Sequence, residues 1–279
     1  MQGAGNDFIL INGLKEKSPS NLLDVASNLC DRHFGIGADG LIIILPSEIA
    51  DIKMCIINSD GSEAEMCGNG IRCFARYVYE EGIVKKEVFK VETLAGIMSP
   101  HLILEKGKVV GVTVDMGEPS LEGSSVPILG FVGQVINEPL KVLDTTFKIT
   151  ALLMGVPHCV VFVDDVSNLD VAKYGAAIET NPVFPRKSNV HFLEIINERE
   201  IEMRVWERGA GLTLACGTGA CASLVASVLN KKTGRKAKMN LPGGTLYIEW
   251  ANNNHVYMTG PAKRTFSGEI QDSVLFELN

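Results

Sequence analysis

The sequence lacks the features that would point to a membrane protein or a nucleic-acid-binding protein. No apolar run approaches the ~20 residues that a membrane-spanning helix needs. Basic residues are outnumbered, because 26 lysines and arginines stand against 33 aspartates and glutamates, and the formal net charge is −7. A general nucleic-acid binder needs a basic surplus to neutralise phosphates. We therefore expect neither a membrane nor a nucleic acid as a partner.

A secretory signal and a cysteine framework are also missing. Residues 1–7 carry neither the basic segment nor the apolar core of a signal peptide, so a cytoplasmic location is expected. The seven cysteines are odd in number and include no C-x-x-C pair, which argues against a disulfide framework and a structural zinc site. Most of these thiols are therefore expected to be small, buried, apolar side chains.

What the sequence does contain is an internal repeat. The motif C-G-x-G occurs at residues 67–70 and again at residues 216–219. Other segments recur at nearly the same spacing: residues 5–11 correspond to 155–161, Asn58 corresponds to Glu207, and Gly96 corresponds to residues 242–244. Matching segments in register favour a duplicated chain. A duplication predicts two similar halves with an active site between them.

Each C-G-x-G motif is followed by the pattern of a helix. After Cys67, apolar residues have the i, i+3, i+4, i+7 spacing of one helix face, and Gly82 is predicted to end that helix. After Cys216, apolar residues occupy every side, which predicts a helix buried nearly all round and ending near Gly234. The basic residues 231–238 are then expected to be its solvated C-terminal end rather than a nucleic-acid patch.

The rest of the chain is rich in short β patterns. They cover residues 8–11, 41–45, 52–57, 102–104, 109–114, 160–163, 201–205, 246–250 and 256–258. This predicts an α+β fold of two pseudo-symmetric halves, each a mixed β-sheet wrapped around a central helix, with the active site in the cleft between them. The predicted halves are residues 1–118 plus 262–279, which carry Cys67, and residues 119–261, which carry Cys216.

A cysteine at the start of a helix lies beside free backbone N–H groups and the positive end of the helix dipole. Both favour the thiolate, so they are expected to lower the pKa of Cys67 and of Cys216. The glycines that follow let the backbone approach a ligand closely, and the N–H groups can bind a carboxylate. One such site alone is more simply explained as a tight turn with an inert thiol.

Two matching sites indicate a more specific chemistry. If the two halves face each other, two thiols can flank one α-carbon. One cysteine would remove the α-proton as a thiolate, and the other would return a proton to the opposite face, which is stereoinversion by general acid–base catalysis. The helix N-termini would hold the α-carboxylate and stabilise negative charge in the transition state.

Polar residues near the two motifs are candidates for holding the rest of a substrate. Arg208 could bind a carboxylate through two hydrogen bonds, and Glu207 could accept from an ammonium group. The alternative for these neighbours is an ordinary surface ion pair. His158 could act near the thiols or be a hydrogen-bonded structural histidine. Asparagines in similar strand-end or loop positions are Asn6, Asn58, Asn69 and Asn189.

Taken together, the chain resembles the diaminopimelate epimerase family along nearly its whole length. The segments that carry the resemblance are residues 3–8, 31–40, 58–63, 66–73, 157–159, 207–211 and 215–221. The resemblance implies interconversion of LL- and meso-2,6-diaminopimelate, on the route to lysine and peptidoglycan precursors. It implies no cofactor, neither pyridoxal phosphate nor a metal ion. It also implies two pseudo-symmetric halves and a homodimer.

The resemblance further implies a role for each matching residue. Cys67 and Cys216 would be the catalytic base and acid, and His158 and Glu207 would tune the protonation of the two thiols. The implied substrate-binding residues are Gly68, Asn69, Gly217 and Thr218 at the reacting end, and Asn6, Asn58, Asn189, Glu207 and Arg208 chiefly at the distal end. Val156 stands where many members have asparagine, so one polar contact to the distal end is expected to be absent.

Three other classes stay open at this point. A proline or hydroxyproline racemase resembles the chain at the cysteines, but tends to have histidine where Asn69 stands and Asp-Arg-Ser-Pro before the second cysteine. A redox or metal-binding thiol protein would need Cys67 and Cys216 to form a reversible disulfide or to share a metal. A non-catalytic ligand-binding protein that has the same fold is the third.

Overall fold

A computed structural model describes residues 1–15, 22–123 and 125–270 of the 279-residue chain. The chain forms two compact units, the first made of Met1–Val114 and the segment from Gly260 onwards, the second of Asp115–Thr259. Residues 271–279 of the predicted first half and Ser124 of the predicted second half lie outside the described residues. In the described parts of the chain, no helix is long and apolar enough to cross a membrane.

The first unit contains a mixed sheet in the order β1-β2-β3-β4-β6-β7, with β5 paired to β4. β2 and β3 are parallel and β3 and β4 antiparallel, while β8 and β9 pair as an antiparallel hairpin. The apolar run of β3 is buried almost throughout, as expected of an inner strand covered on both faces. The elements are β1 (Gln2–Gly3), β2 (Asn6–Asn12), α1 (Leu22–Cys30), β3 (Gly40–Leu45), β4 (Ile52–Asn58), β5 (Glu63–Ala64), α2 (Gly68–Glu80), β6 (Val91–Thr93), β7 (Gly96–Met98), β8 (His101–Glu105) and β9 (Lys108–Asp115).

The second unit contains a longer mixed sheet in the order β10-β11-β12-β13-β14-β16-β17-β18, with β15 paired to β14. β12 and β13 are parallel, as are β14 and β16, and the other neighbours are antiparallel. The elements are β10 (Val135–Val142), β11 (Thr145–Met154), β12 (Val156–Phe162), α3 (Val171–Glu179), β13 (Asn189–Asn197), β14 (Glu200–Glu207), β15 (Gly211–Thr213), α4 (Gly217–Leu229), β16 (Lys236–Leu241), β17 (Gly244–Trp250) and β18 (Val256–Gly260).

The helix that follows each motif cysteine packs against the sheet of its own unit. α2 contacts β1 to β4, and α4 contacts β11, β12, β13, β16 and β17. Each helix has 13 residues and begins directly after its cysteine. α2 ends before Gly82, whose φ of 68° suits a glycine stop, and α4 is buried at nearly every position up to Ser227. The predicted α+β class, with a mixed sheet around a central helix in each half, is confirmed.

The prediction for the end of α4 is wrong. The helix ends at Leu229, and Lys231 takes the left-handed conformation that the sequence pattern assigned to a glycine. Gly234 lies in the following turn, where its N–H donates to the carbonyl of Glu198. The basic residues 231–238 therefore form this turn and the start of β16 rather than a helix end. Tertiary contacts, which no local pattern reveals, decide where the chain turns.

The strand pairing repeats between the units. In the first, Phe8 pairs with Gly40, and Gly40 pairs with Asn58. In the second, His158 pairs with Asn189. The following residue, Val190, pairs with Trp206, and Glu207 comes next as the last residue of β14. Helices α1 and α3, strands β10, β11, β13 and β16, and several of the shortest strands were not predicted from the sequence. The internal repeat of the sequence thus corresponds to a repeat of topology.

Candidate active site

Both motif cysteines are N-caps with nearly the same backbone conformation. Cys67 has φ −136° and ψ 119°, and Cys216 has φ −127° and ψ 115°. The Cys67 Sγ accepts a hydrogen bond from the Gly70 N–H over 3.4 Å, and the Cys216 Sγ accepts one from the Gly219 N–H over 3.3 Å. A sulfur in this position receives the first-turn N–H groups of a helix, as the sequence pattern predicts.

The surroundings of Cys216 reverse the expected change in its pKa. Its side chain is only 6% exposed, whereas Cys67 is half-buried. Burial raises the pKa of Cys216 well above its usual value, and the charge of Glu207 raises it further, while the Thr218 hydroxyl and the Gly219 N–H act in the opposite direction. The predicted decrease is therefore wrong for Cys216, because loss of water outweighs the helix N-terminus. These surroundings favour the thiol over the thiolate at Cys216.

Three of the other cysteines are kept unreactive by the core. Burial raises the pKa of Cys30 to about 11, that of Cys55 to about 12 and that of Cys73 to about 12. A thiol with so high a pKa is almost entirely protonated near neutral pH and is a poor nucleophile or base. These residues behave as the small, buried, apolar side chains that the sequence predicts.

The first unit brings Asn6, Gly68 and Asn69 to Cys67. The Cys67 thiol donates to Asn6 Oδ1 over 3.6 Å, and Asn69 Nδ2 donates to the same oxygen over 3.4 Å. Gly68 is the first residue of α2, and its carbonyl accepts from the Arg72 Nη1 over 3.0 Å. Asn58 is exposed at the end of β4, where its Nδ2 donates to Ser62 Oγ over 2.9 Å. Its side chain is therefore available to a ligand.

The second unit places Glu207, Arg208 and Asn189 around the end of β14. Glu207 accepts from the Thr213 hydroxyl over 2.6 Å, and the exposed Arg208 donates to the carbonyl of Arg186 over 3.1 Å. The buried Asn189 accepts from the Arg208 backbone N–H and donates to the carbonyl of Pro157. Among the described residues, Glu207 and Arg208 make no ion pair with each other, so this alternative interpretation is not supported.

Gly217 and Thr218 form the first turn of α4 directly after Cys216. The Thr218 hydroxyl lies 3.5 Å from the Cys216 Sγ, and Gly217 is buried. The first N–H groups of a helix have no partner within it. Residues 68 and 69 in one unit, and 217 and 218 in the other, therefore present backbone N–H groups beside a thiol, which is the arrangement that binds a carboxylate.

His158 is hydrogen-bonded to a second histidine, His191, which lies against the Cys216 helix and which the sequence did not indicate. Its Nδ1 lies 2.8 Å from the Nε2 of His191, and both rings are fully buried. Burial lowers the pKa of His158 to about 3, and it lowers the pKa of His191 as well, so both rings are neutral. The His191 ring lies against Gly219 in the first turn of α4. No local signal marks His191, because it stands in the apolar run of β13.

We predict that Glu207→Gln lowers the midpoint pH for alkylation of Cys216 by about one unit, because a negative charge beside a thiol disfavours its ionisation. Iodoacetamide labelling at a series of pH values, followed by peptide mass spectrometry, measures the midpoint. Glu202→Gln is the matched control, since its carboxylate lies on the same strand and accepts from Asn240 instead. An unchanged or raised midpoint in Glu207→Gln alone contradicts the assigned influence of Glu207.

Comparison with known proteins gives consistent matches along the chain. A family model described as "Diaminopimelate epimerase" matches residues 1–122 and 150–265. A diaminopimelate epimerase of Pelotomaculum thermopropionicum is 55% identical over 268 residues, which cover 96% of each chain. One of Moorella thermoacetica is 54% identical over 271 residues, which cover 97% of each chain.

Solved structures with much lower identity share the fold. A probable proline racemase from Agrobacterium radiobacter K84 has a TM-score of 0.64 at 16% identity, over 93% of this chain and 88% of that one. A methylitaconate-delta-isomerase has a TM-score of 0.63 at 15% identity, over 98% of this chain and 95% of that one. At such low identity, the similarity bears on the fold alone.

Proposed function

The chain belongs to the diaminopimelate epimerase family, and we propose that it interconverts LL-2,6-diaminopimelate and meso-diaminopimelate through Cys67 and Cys216. The observation that carries the proposal is the pair of N-cap cysteines, one in each unit, each with its sulfur on a backbone N–H of the helix it begins. The same N-cap contact at both cysteines favours a shared acid–base role over two unrelated structural cysteines.

In the proposed mechanism, one cysteine removes the α-proton as a thiolate and the other delivers a proton to the opposite face as a thiol. The reaction leaves one thiol and one thiolate with their roles exchanged, so it needs neither an oxidant nor a reductant. Because the pKa of Cys216 is raised in the substrate-free protein, a positive charge is needed to favour ionisation. The α-ammonium group of the substrate supplies such a charge when it binds.

The backbone N–H groups of Gly68, Asn69, Gly217 and Thr218 are proposed to hold the α-carboxylate of the substrate. Free N–H groups at a helix start bind anions. They would also stabilise the negative charge that spreads onto this carboxylate as the α-proton leaves. This interaction strengthens in the transition state, and it is therefore expected to contribute to turnover rather than only to binding.

The distal amino-acid end is proposed to bind Asn6, Asn58, Asn189, Glu207 and Arg208. Arg208 offers a guanidinium for the distal carboxylate, and Glu207 a carboxylate for the distal ammonium group. Glu207 is also proposed to tune Cys216 directly through its charge. His158 is proposed to act on the same thiol through His191, since its ring is hydrogen-bonded to His191 and the His191 ring lies against Gly219.

The family resemblance also supports three wider proposals: function without pyridoxal phosphate or metal, a homodimeric state, and a cytoplasmic place on the route to lysine and peptidoglycan precursors. Activity of the dialysed, chelator-treated enzyme tests the first. Sedimentation analysis of the purified protein tests the second, for which a purely monomeric species would be the contrary result.

Purified protein incubated with LL-diaminopimelate in D₂O, under reducing conditions and without added cofactor, is expected to give meso product carrying α-deuterium. Nuclear magnetic resonance follows the deuterium, and chiral chromatography follows the product. L-Proline is run in parallel, and no turnover is expected. Absence of both exchange and epimerisation of diaminopimelate would refute the proposed function, and turnover of proline alone would favour a proline racemase.

A further inference from the structure

A chain of hydrogen-bonded side chains runs through the first unit and passes beside Cys67. At its inner end is Arg72, which is fully buried and donates through Nη2 to Asn69 Oδ1 over 2.8 Å. Asn69 Nδ2 donates to Asn6 Oδ1 over 3.4 Å, and Asn6 Nδ2 donates to Asp39 Oδ2 over 2.6 Å. The two carboxamides therefore lie between a guanidinium and a carboxylate.

The direction of this chain is fixed by the chemistry of its ends. A guanidinium can only donate hydrogen bonds, and an ionised carboxylate can only accept them. Asn69 must therefore turn its oxygen towards Arg72, and Asn6 must turn its NH₂ group towards Asp39. Rotating either carboxamide by half a turn would set donor against donor or acceptor against acceptor, which is costly for partly buried groups.

Arg32 holds the outer end of the chain in place. Its Nη2 donates to Asp39 Oδ1 over 2.8 Å, and it makes two further hydrogen bonds to the carboxylate of Asp7, over 2.7 and 3.2 Å. The backbone N–H of Asp7 donates to Asp39 Oδ2 over 3.1 Å. Asp39 Oδ1 thus accepts from Arg32, and Asp39 Oδ2 accepts from Asn6 and from the Asp7 N–H.

The orientation of Asn6 decides which of its atoms Cys67 meets. The Asn6 Oδ1 lies 3.6 Å from the Cys67 Sγ. An amide oxygen at this place accepts from the S–H group but disfavours the thiolate, whereas an NH₂ group would favour the thiolate. We infer that Asp39, held by Arg32, is a positioning residue that keeps the Asn6 oxygen on Cys67 and so disfavours the Cys67 thiolate, in opposition to the Gly70 N–H that donates to the same sulfur.

This inference rests on the proposed function, because the state of Cys67 affects turnover only if that thiol is one of the two acid–base groups. The described residues of the second unit contain no counterpart of this series of hydrogen-bonded side chains. Val156 corresponds to Asn6 in the repeat, and Cys221 corresponds to Arg72. At Cys216, burial and Glu207 favour the thiol instead. Under this inference, different groups disfavour the thiolate at the two cysteines.

Other titratable groups near Cys67 lie on both sides of it. On α2 are Arg72, which is fully buried, and Cys73, whose pKa burial raises to about 12. Across from α2 are Asp7, Arg32 and Asp39. A change at Asp39 could therefore act on Cys67 through charge alone. The test has to separate this influence from the orientation of Asn6.

The test measures how alkylation of Cys67 by iodoacetamide depends on pH in the full-length, substrate-free protein. In Asp39→Asn, the new carboxamide can offer its oxygen to Arg32 or to Asn6 but not to both, and the guanidinium charge draws that oxygen away from Asn6. Turning Asn6 loses the long 3.4 Å contact from Asn69 but restores a donor–acceptor pair at the much shorter 2.6 Å contact with position 39, so its NH₂ group is expected to turn to Cys67. The midpoint pH for Cys67 is expected to fall by about one unit, and epimerase turnover by about tenfold.

A double-mutant cycle identifies the route of the effect. In an Asn6→Leu background, where the Asn6 carboxamide is absent, Asp39→Asn is expected to shift the midpoint by less than about 0.2 units. The matched control is Asp51→Asn, since Asp51 also accepts from a cation, Lys86, and from a backbone N–H, that of Lys90. It is expected to leave both the midpoint and turnover unchanged. An equal shift in both Asn6 backgrounds, or no shift at all, overturns the inference.

If Asp39→Asn does not fold, Arg32→Gln provides a second test of the inference. In this variant the Asp7 backbone N–H still donates to Asp39 Oδ2, the oxygen that accepts from Asn6, so the midpoint is expected to stay within about 0.2 units of the original. Loss of the cation would raise the midpoint if charge alone acted on Cys67, and such a rise overturns the inference. Labelling needs no substrate, so failure of the epimerase assignment would not alter this result.

Discussion

Cys67→Ser and Cys216→Ser are each expected to lower the rate of epimerisation by about 10³-fold or more, while leaving the protein folded. Serine is a preferred N-cap residue, so its oxygen can accept from the Gly70 or Gly219 N–H in place of sulfur. A hydroxyl is far less acidic than a thiol and does not supply the required base. The measurements are turnover of LL-diaminopimelate in D₂O and circular dichroism of each variant.

The matched controls are Cys30→Ala and Cys55→Ala. Both side chains are buried thiols of the first unit with a pKa raised to about 11 and about 12, respectively. We expect these variants to lose stability, by up to about 2 kcal/mol, and to keep turnover per folded molecule. This contrast separates loss of chemistry from loss of folded protein.

The two serine variants also test whether two bases act on opposite faces. In Cys216→Ser, the remaining thiol can still remove the α-proton from one stereoisomer, although the opposite face has no proton donor. Exchange of that proton in one stereoisomer, without inversion, would identify Cys67 as the base for that face. Full epimerisation by Cys216→Ser, in contrast, is incompatible with a two-base mechanism.

The positions of the two cysteines could be predicted because helix N-caps depend on neighbouring residues. The C-G-x-G motif brings a side-chain acceptor and a first-turn N–H together within a few residues, and the structure has this contact at both sites. The ionisation of Cys216 could not be predicted in the same way. It depends on burial and on Glu207, which lies on β14 and is brought to the thiol only by the sheet.

The same limit explains why His191 and Asp39 escaped the sequence analysis. His191 stands in an apolar strand, and its contact with His158 follows from the parallel register of β12 and β13. Asp39 ends a glycine-rich loop, and its bond to Asn6 follows from the pairing of β2 with β3. Neither register can be derived from alternation within one strand, because a pairing shifted by two residues would keep the same side chains on the same face of the sheet.

Gly219→Ala is expected to reduce stability by about 2–3 kcal/mol and to lower turnover by more than tenfold, whereas the corresponding Gly70→Ala should cost less than about 1 kcal/mol. A Cβ on Gly219 would lie 2.7 Å from His191 Nε2 and 2.9 Å from Nδ1, and closer still to Cε1. A Cβ on Gly70 would meet its nearest neighbours, among them Ile42 and Ile56, at 3.3 Å. Urea unfolding and the epimerase assay measure the two effects.

The expected loss of stability is a net value. Alanine is about 1 kcal/mol more favourable than glycine inside a helix, and this gain offsets part of the cost of the steric strain. The strain cannot be relieved by moving the His191 ring, which is fully buried and bonded to His158. The backbone of α4 must therefore shift, and with it the Gly219 N–H that donates to the Cys216 Sγ.

His191→Ala in the Gly219→Ala background tests this cause directly. Removing the ring should recover part of the lost stability, so that the double variant is more stable than the sum of the two single changes predicts. If Gly219→Ala proves as mild as Gly70→Ala, or if the two changes are simply additive, His191 does not set the position of the turn that carries Cys216. Recovery would instead establish that the buried histidine pair acts on the thiol through the backbone of α4.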